Sequence, residues 1–393
     1  MKQIILRRGK QESLKRFHPW VFSGAIASKP SDLREGDTVL VLDSERHELG
    51  IGHWQPGSIA VRMLTFANEP VDCDFWKRRI QEAWNVRDSI GLIDFPRNTI
   101  FRLVHGEGDR LPGLIVDVYE HTAVMQAHSV GMHLQRAHIA QAIIDVSGGY
   151  IHSIYEKSET TLPRWLAEQN EENGFLVGHD EGNVAQENEL RFLIDWAQGQ
   201  KTGFFIDQRE NRLLLEKYAK GRAVLNMFCY TGGFSVYALR GGAATVHSVD
   251  SSEKAIALTR QNVELNFPDC SRHQAITADA FKYLDHTQED YDLIVLDPPA
   301  FAKHKDALHN ALKGYTRLNA TAFRKIKPGG ILFTFSCSQA VSKEQFRLAV
   351  FTAAAQSGRH VRILHQLHQP ADHPINIYHP EGEYLKGLVL QVE

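Results

Sequence analysis

The hydrophobic pattern changes character three times along the chain. Up to about Cys73 it consists of short apolar runs broken by turn residues: Asp37 to Asp43, Glu48 to Trp54 and Ser58 to Phe66. Gly36-Asp37, Gly50 and Pro56-Gly57 supply the breaks, a pattern that predicts a small β-barrel or sandwich. From about Phe75 to Asp180 helix and strand alternate. Phe75 to Ile90 has helical periodicity, and Phe101 to Val104, Leu114 to Tyr119 and Val124 to Ala127 read as strands. Met132 to Asp145 reads as a further helix, and the polar stretch Ala167 to Gly174 as a loop. Arg102, His105 and Asp109 are the notable polar residues of this segment, around the turn Gly106 to Gly113.

From about Leu190 the pattern sharpens. Apolar strands recur at Ala223 to Phe228, Thr245 to Val249, Leu293 to Leu296 and Ile331 to Phe335. Helical segments at Phe234 to Arg240, Ser252 to Asn266 and Tyr315 to Ile326 separate them. Alternating elements with strands apolar on both faces predict a parallel, doubly wound α/β sheet. His360 to Leu367 and Tyr384 to Val392 lack an intervening helix, so they are expected to pair antiparallel at the sheet edge. We therefore divide the chain at 1–73, 74–189 and 190–393.

Composition narrows the class. With 393 residues and 43% hydrophobic residues, the chain is a multidomain globular protein rather than a disordered or fibrous one. No apolar run reaches the length of a membrane span, and MKQIILRRGKQ lacks the features of a secretory signal, so a reducing cytoplasm is expected. Cys73, Cys229, Cys270 and Cys337 are scattered without a CxxC pair, which indicates neither zinc nor a disulfide framework. The net charge of −3 argues against a general polyanion binder. Lys2, Arg7, Arg8, Lys10, Lys15 and Arg16, opposed by Glu12, form a basic cluster that reads either as a phosphate-facing patch or as a solvated surface.

In such a sheet, ligands bind outside the carboxyl ends of the strands. The first strand ends in Asn226-Met-Phe-Cys-Tyr-Thr-Gly-Gly-Phe-Ser235, where Gly232 and Gly233 permit a tight turn into a helix. The run lacks G-x-G-x-x-G, so a nicotinamide cradle is poorly supported. Asp250 after the second strand is placed to accept from ribose hydroxyls, and Asp279-Ala280 after the third to read an adenine amino group. Each aspartate has the alternative of capping the following helix. Lys201 to Arg212 reads either as a helix entry capped by Asp207 or as a lid. The fourth strand ends in Asp297-Pro-Pro-Ala-Phe301 and the fifth in Phe335-Ser-Cys-Ser338, which puts Asp297 and Cys337 on one rim. Asp297-Pro-Pro resembles motif IV of nucleotide-base methyltransferases; Cys337 beside it reads either as a small packing residue or as a nucleophile, since a thiolate adding to cytosine C6 makes C5 nucleophilic. Asp-Pro-Pro followed by an aromatic also occurs in amino methyltransferases, although Ala300 intervenes here.

Several further stretches complete a pattern: His18-Pro-Trp-Val-Phe-Ser-Gly24, Gly106-Glu-Gly-Asp109, Leu111-Pro-Gly113, Lys201-Thr-Gly203 with Asp207-Gln-Arg209, Tyr230-Thr-Gly-Gly-Phe234, Ala371-Asp-His-Pro374 and Tyr384-Leu-Lys-Gly387. With Asp297-Pro-Pro299 and the Ser-Cys-Ser run, their order resembles the bacterial ribosomal large subunit methyltransferase I family over nearly the whole chain. The resemblance implies a PUA-like β-barrel, a small middle α/β domain and a class I (Rossmann-like) methyltransferase domain. It implies S-adenosylmethionine as cofactor and 23S rRNA as partner, with 5-methylcytosine as product at the cytosine numbered 1962. It implies no membrane partner and is compatible with a homodimer. Cys337 is then the nucleophile and Asp297 contacts the base. Cofactor contacts fall on Phe205, Gln208, Arg209, Asn226, Phe228, Tyr230, Thr231, Gly232, Asp250, Asp279, Ala280 and Asp297, and substrate contacts on Pro298, Pro299 and Phe301. Ala300 stands where many RNA 5-methylcytosine enzymes carry a second cysteine, so the base that removes the C5 proton is unassigned. The alternatives are an exocyclic-amine methyltransferase and an inactive RNA-binding assembly factor.

Overall fold

The computed structural model describes residues 1–167, 172–302 and 304–393, so the loop expected from Ala167 to Gly174 lies partly outside the described residues. The chain forms two compact units. One comprises 1–189, 194–206 and 371–382, the other 190–193, 207–370 and 383–393. Among the described residues no helix is long and apolar enough to cross a membrane.

In the first unit, the alternation near the N-terminus becomes a six-stranded sheet in the order Trp20–Phe22, Ile59–Thr65, Glu48–Trp54, Thr38–Leu42, Lys2–Leu6, Ile26–Ser28. Ile4, Leu6, Val39, Val41, Val61 and Met63 fill its core. The strand Lys2–Leu6 was masked in the sequence by the basic residues that follow it. A second, five-stranded sheet runs Gly174–Val177, Ser153–Glu156, Thr122–Ala127, Leu114–Tyr119, Ile100–His105. Helix Cys73–Ser89 covers it through Phe75, Trp76 and Ile80. The single helix expected from Met132 to Asp145 is two, Val130–Leu134 and Arg136–Val146, with Gln135 as the shared boundary.

The polar motifs of this unit are structural. Arg87, fully buried, holds both carboxylate oxygens of Asp109 at 2.5 and 2.8 Å and the carbonyl of Asp372 at 2.6 Å. Arg102 pairs with Asp117 through two bonds of 2.8 and 2.9 Å, and its amide donates to Asp372 at 3.0 Å. Paired, doubly bonded charges of this kind offset the penalty of leaving water, while removal of one partner strands the other. Gly106-Glu-Gly-Asp109 and Ala371-Asp-His-Pro374 are therefore two sides of one buried joint. A Cβ on Gly108 would sit 1.9 Å from the Pro374 carbonyl oxygen, so only glycine fits there.

The second unit is the doubly wound sheet. Its strands are β1 (Ala223–Met227), β2 (Thr245–Asp250), β3 (His273–Thr277), β4 (Tyr291–Leu296), β5 (Ile326–Ser336), β6 (Val361–His368) and β7 (Lys386–Val392). Its helices are α1 (Arg209–Ala219), α2 (Gly233–Arg240), α3 (Glu253–Asn266), α4 (Ala280–His286), α5 (Leu308–Lys325) and α6 (Lys343–Ser357). The strand order is β3-β2-β1-β4-β5-β7-β6. Strands β1 to β5 are parallel, and β7 inserts antiparallel between β5 and β6, as the missing helix between the last two strands predicts. Leu225, Met227, Ile294, Leu296, Leu332 and Leu390 form the core with Tyr315, Phe323 and Phe346. Each such apolar side chain contributes ~1.5–3 kcal/mol on burial. Chain order reverses between β1 and β4, which opens the binding crevice at their carboxyl ends.

Candidate active site

The turn after β1 is held under backbone strain. Phe228 (φ 58°), Tyr230 (φ 47°) and Gly232 (φ 80°) all lie in the left-handed region, which non-glycine residues occupy only when their surroundings compel it. Helix α3 supplies that compulsion: Thr259 Oγ1 donates to the Tyr230 carbonyl at 2.8 Å and Asn262 Nδ2 to the Thr231 carbonyl at 2.8 Å. A Cβ on Gly232 would meet Thr259 Cγ2 at 2.6 Å. Inside this turn Cys229 is buried, and burial pushes its thiol well up, so it is an inert packing residue.

The two aspartates that look alike in sequence differ in space. Asp250 accepts from the amides of Tyr230 and Ser252, each at 3.0 Å. The cap of α3 is Ser252, not Asp250. Two of roughly four lone-pair positions on a carboxylate are thus used, which leaves half-buried Asp250 able to accept ribose hydroxyls at the crevice. Asp279 is exposed and caps α4, accepting from the Lys282 amide at 2.9 Å. Ala280 is the buried first residue of that helix. At the end of β1, Asn226 donates to Ser235 Oγ at 2.9 Å, and its buried Oδ1 has no partner among the described residues. An acceptor of that kind, with the strained turn and Asp250, fits an adenosine-bearing cofactor.

The stretch of chain that leads into α1 carries further expected residues. Asp207 does not cap α1, whose cap is Gln208 without a side-chain bond. Asp207 instead accepts from the Tyr384 hydroxyl at 2.7 Å, because the chain enters α1 through a short 3-10 turn at Ile206–Gln208. Arg209 is buried beside Glu210 at 3.3 Å. Phe205 belongs to the other unit, where the Lys201 ammonium lies 4.6 Å from its ring centre. Phe228 meets the edge of Phe281 at 6.3 Å.

The ends of β4 and β5 carry Asp297 and Cys337, the expected catalytic pair. Gln208 Nε2 donates to Asp297 Oδ2 at 3.0 Å, and Gln208 is itself oriented by Asn211 at 2.6 Å. Pro298 is buried and Pro299 exposed, while Phe301 packs, tilted by 38° at 4.7 Å, against the buried ring of Tyr315. Beyond β5, Ser336 donates to the Tyr315 hydroxyl at 2.9 Å, and Ser338 lies 3.3 Å from the same hydroxyl. Both serines therefore turn inward, and Cys337 between them turns the opposite way, with Sγ 3.9 Å from the Pro298 carbonyl oxygen. The structure thus joins Cys337 to the Asp297-Pro-Pro turn. It also brings in Tyr315 and Lys386, which sequence reasoning missed. Lys386 donates to the carbonyls of Ser338 and Val341, each at 2.6 Å. Tyr384-Leu-Lys-Gly387 was the available signal for Lys386; Tyr315 had none.

Comparison with known proteins identifies the family and the fold. The model of the S-adenosylmethionine-dependent methyltransferase family matches residues 169–382, and that of the PUA-like domain matches residues 4–66. A ribosomal RNA large subunit methyltransferase I from Aeromonas hydrophila is 43% identical, over 99% of this chain and 98% of the relative. Its counterpart from Tolumonas auensis is 40% identical over the same shares. A Streptococcus mutans protein provisionally named a SAM-dependent methyltransferase superposes with a TM-score of 0.84 at 22% identity, over the whole of both chains, which establishes the shared fold. On that full-length identity and on both family matches, the chain belongs to the ribosomal RNA large subunit methyltransferase I family of S-adenosylmethionine-dependent methyltransferases.

Proposed function

We propose that this protein methylates C5 of a cytosine in 23S rRNA, the cytosine numbered 1962, with Cys337 as a covalent nucleophile. The observation that carries the reading is the outward turn of Cys337 beside the Pro298 carbonyl, enforced by the two serines on Tyr315. In this reaction the Cys337 thiolate adds to C6, forming an S–C6 bond and making C5 enamine-like. When bound, S-adenosylmethionine would supply the methyl group as a sulfonium electrophile, its S–CH3 bond breaking as C5–CH3 forms and S-adenosylhomocysteine leaving. Loss of the C5 proton to a base then expels Cys337, restoring the aromatic ring. Asp297, held by Gln208, accepts from the exocyclic amine of the cytosine, the donor on its pairing edge. Pro298 and Pro299 fix the turn that presents it.

Asp250 takes the ribose, and Tyr230 to Gly232 bring their backbone close to the cofactor. Asn226, Gln208 and Arg209 complete the pocket, with Asp279-Ala280 beside the adenine. Residues 1–73 handle RNA, 74–189 form a middle domain, 190–393 carry the chemistry, and the protein works in the cytoplasm. The test is methyl transfer from labelled cofactor to 23S rRNA, followed by nucleoside mass spectrometry. The reading expects 5-methylcytidine. An N-methylated nucleoside, or no transfer at all, would replace it with one of the alternatives.

A further inference from the structure

We infer that Lys386 is a positioning residue for this chemistry, an ammonium set beside Cys337 to fix its loop and to stabilise its thiolate. The inference rests on the reading of Cys337 as nucleophile. Strand β7 runs antiparallel to β5 with Lys386 directly opposite Ser336, so sheet register alone puts the lysine beside the residue preceding Cys337. Its Nζ then bonds the carbonyls of Ser338 and Val341, both just beyond Cys337. Two of its three donors are thereby used, and one remains.

The burial is what demands an explanation. Lys386 is only 6% exposed, yet no carboxylate forms a salt bridge with it among the described residues. Nearby Glu383 is paired with Lys343. Two carbonyls can be bridged by a neutral amide, and burying a charge for that purpose alone is expensive. A cation becomes useful where an anion must form, and the thiol of Cys337 is the group there that can supply one. The other groups around it are compatible. Burial lowers the Lys386 ammonium to about 8 against the pull of Cys337 and Glu383, with Lys343 lowering it further, so it remains charged at neutral pH. Burial raises the Tyr315 phenol, so that side of the thiol stays neutral.

Alkylation by iodoacetamide, followed on the Cys337 peptide by mass spectrometry across pH, reads the thiol directly and needs no RNA. In the wild-type protein the midpoint should lie below the ordinary ~8.5 of a free thiol. Lys386→Gln keeps an amide donor for the carbonyls but removes the charge, and should slow alkylation at pH 7 about tenfold. Lys386→Arg should retain most of the wild-type rate. Thermal melting and cofactor binding establish that each variant is folded. A wild-type midpoint at or above ~8.5 overturns the inference even if no variant folds. So does a folded Lys386→Gln protein that alkylates like wild type. Failure of the nucleophile reading shows separately, as full turnover by Cys337→Ala whatever the midpoint.

Discussion

Gln208 Nε2 lies 3.0 Å from Asp297 Oδ2, which ties the start of helix α1 to the end of strand β4. The carboxylate proposed to meet the base is thus aimed by a neighbouring side chain. A hydrogen bond to a charged group is worth ~1.5–3 kcal/mol. Gln208→Leu should lower turnover roughly 10- to 100-fold, and should also lower the melting temperature because it strands Asn211. Steady-state kinetics check this. Unchanged turnover would show that Asp297 is held by other means.

The two strand-end aspartates should separate cleanly. Asp250→Ala is expected to weaken cofactor binding by ~1.5–3 kcal/mol, because Asp250 also anchors the strained turn through Tyr230. Asp279→Ala should chiefly cost ~1 kcal/mol of stability, the usual value of a lost cap, with a smaller loss of affinity than at Asp250, and Asp279→Ser should restore the stability. Calorimetry and melting on the same proteins decide. Equal losses of affinity at both positions would contradict the distinction.

That distinction was invisible in sequence, where Asp250 and Asp279 are both acids following strands. Much else was legible. β4 and β5 announced themselves because parallel strands are apolar on both faces, and the antiparallel tail followed from the missing helix. β3 was legible only as a strand ahead of Asp279, without bounds, since its residues are half-exposed at the sheet edge. α5 starts at Leu308 rather than Tyr315, its first turns mixing Leu308, Ala311 and Leu312 with His309, Asn310 and Lys313 ahead of Gly314. α6 escaped notice because it exposes Leu348 and Phe351 while burying Phe346 and Val350, which blurs its periodicity. The roles of Lys386 and Tyr315 depend on register and on rotamers, which composition does not encode.

Acid should destabilise the protein well above the carboxylate range. Burial pushes His53 and His273 each down to about 4, and His105, His128, His247 and His379 in the same direction. Between ~6.5 and 4 the unfolded chain therefore binds more protons than the folded one. Stability is complete above ~6.5 and is lost as pH falls, by roughly 1–2 kcal/mol for His53 by pH 5. Urea midpoints at pH 7, 6 and 5 test this; a flat profile would contradict it.

At the N-terminus, Lys2 is taken up by Asp37 at 2.8 Å and Lys15 lies 3.7 Å from Glu12. Arg8, Lys10 and Arg16 are exposed, with no ion-pair partner among the described residues. If they meet phosphate, replacing all three by alanine should weaken RNA binding. The slope of log affinity against log salt should then drop by roughly 2–3. An unchanged slope would make the cluster a solvated face.

The central claim is that Cys337 becomes bonded to cytosine C6 during turnover. RNA carrying 5-fluorocytosine at the target tests it most directly, because after methylation C5 has no proton to lose and release of the thiol stalls. Protein and RNA should then migrate together on a denaturing gel, with the link mapped to Cys337. Cys337→Ala should abolish both the adduct and turnover while keeping cofactor affinity, and replacing buried Cys229 should leave the adduct in place. Normal methylation by Cys337→Ala, with no adduct in the wild-type protein, would contradict the account.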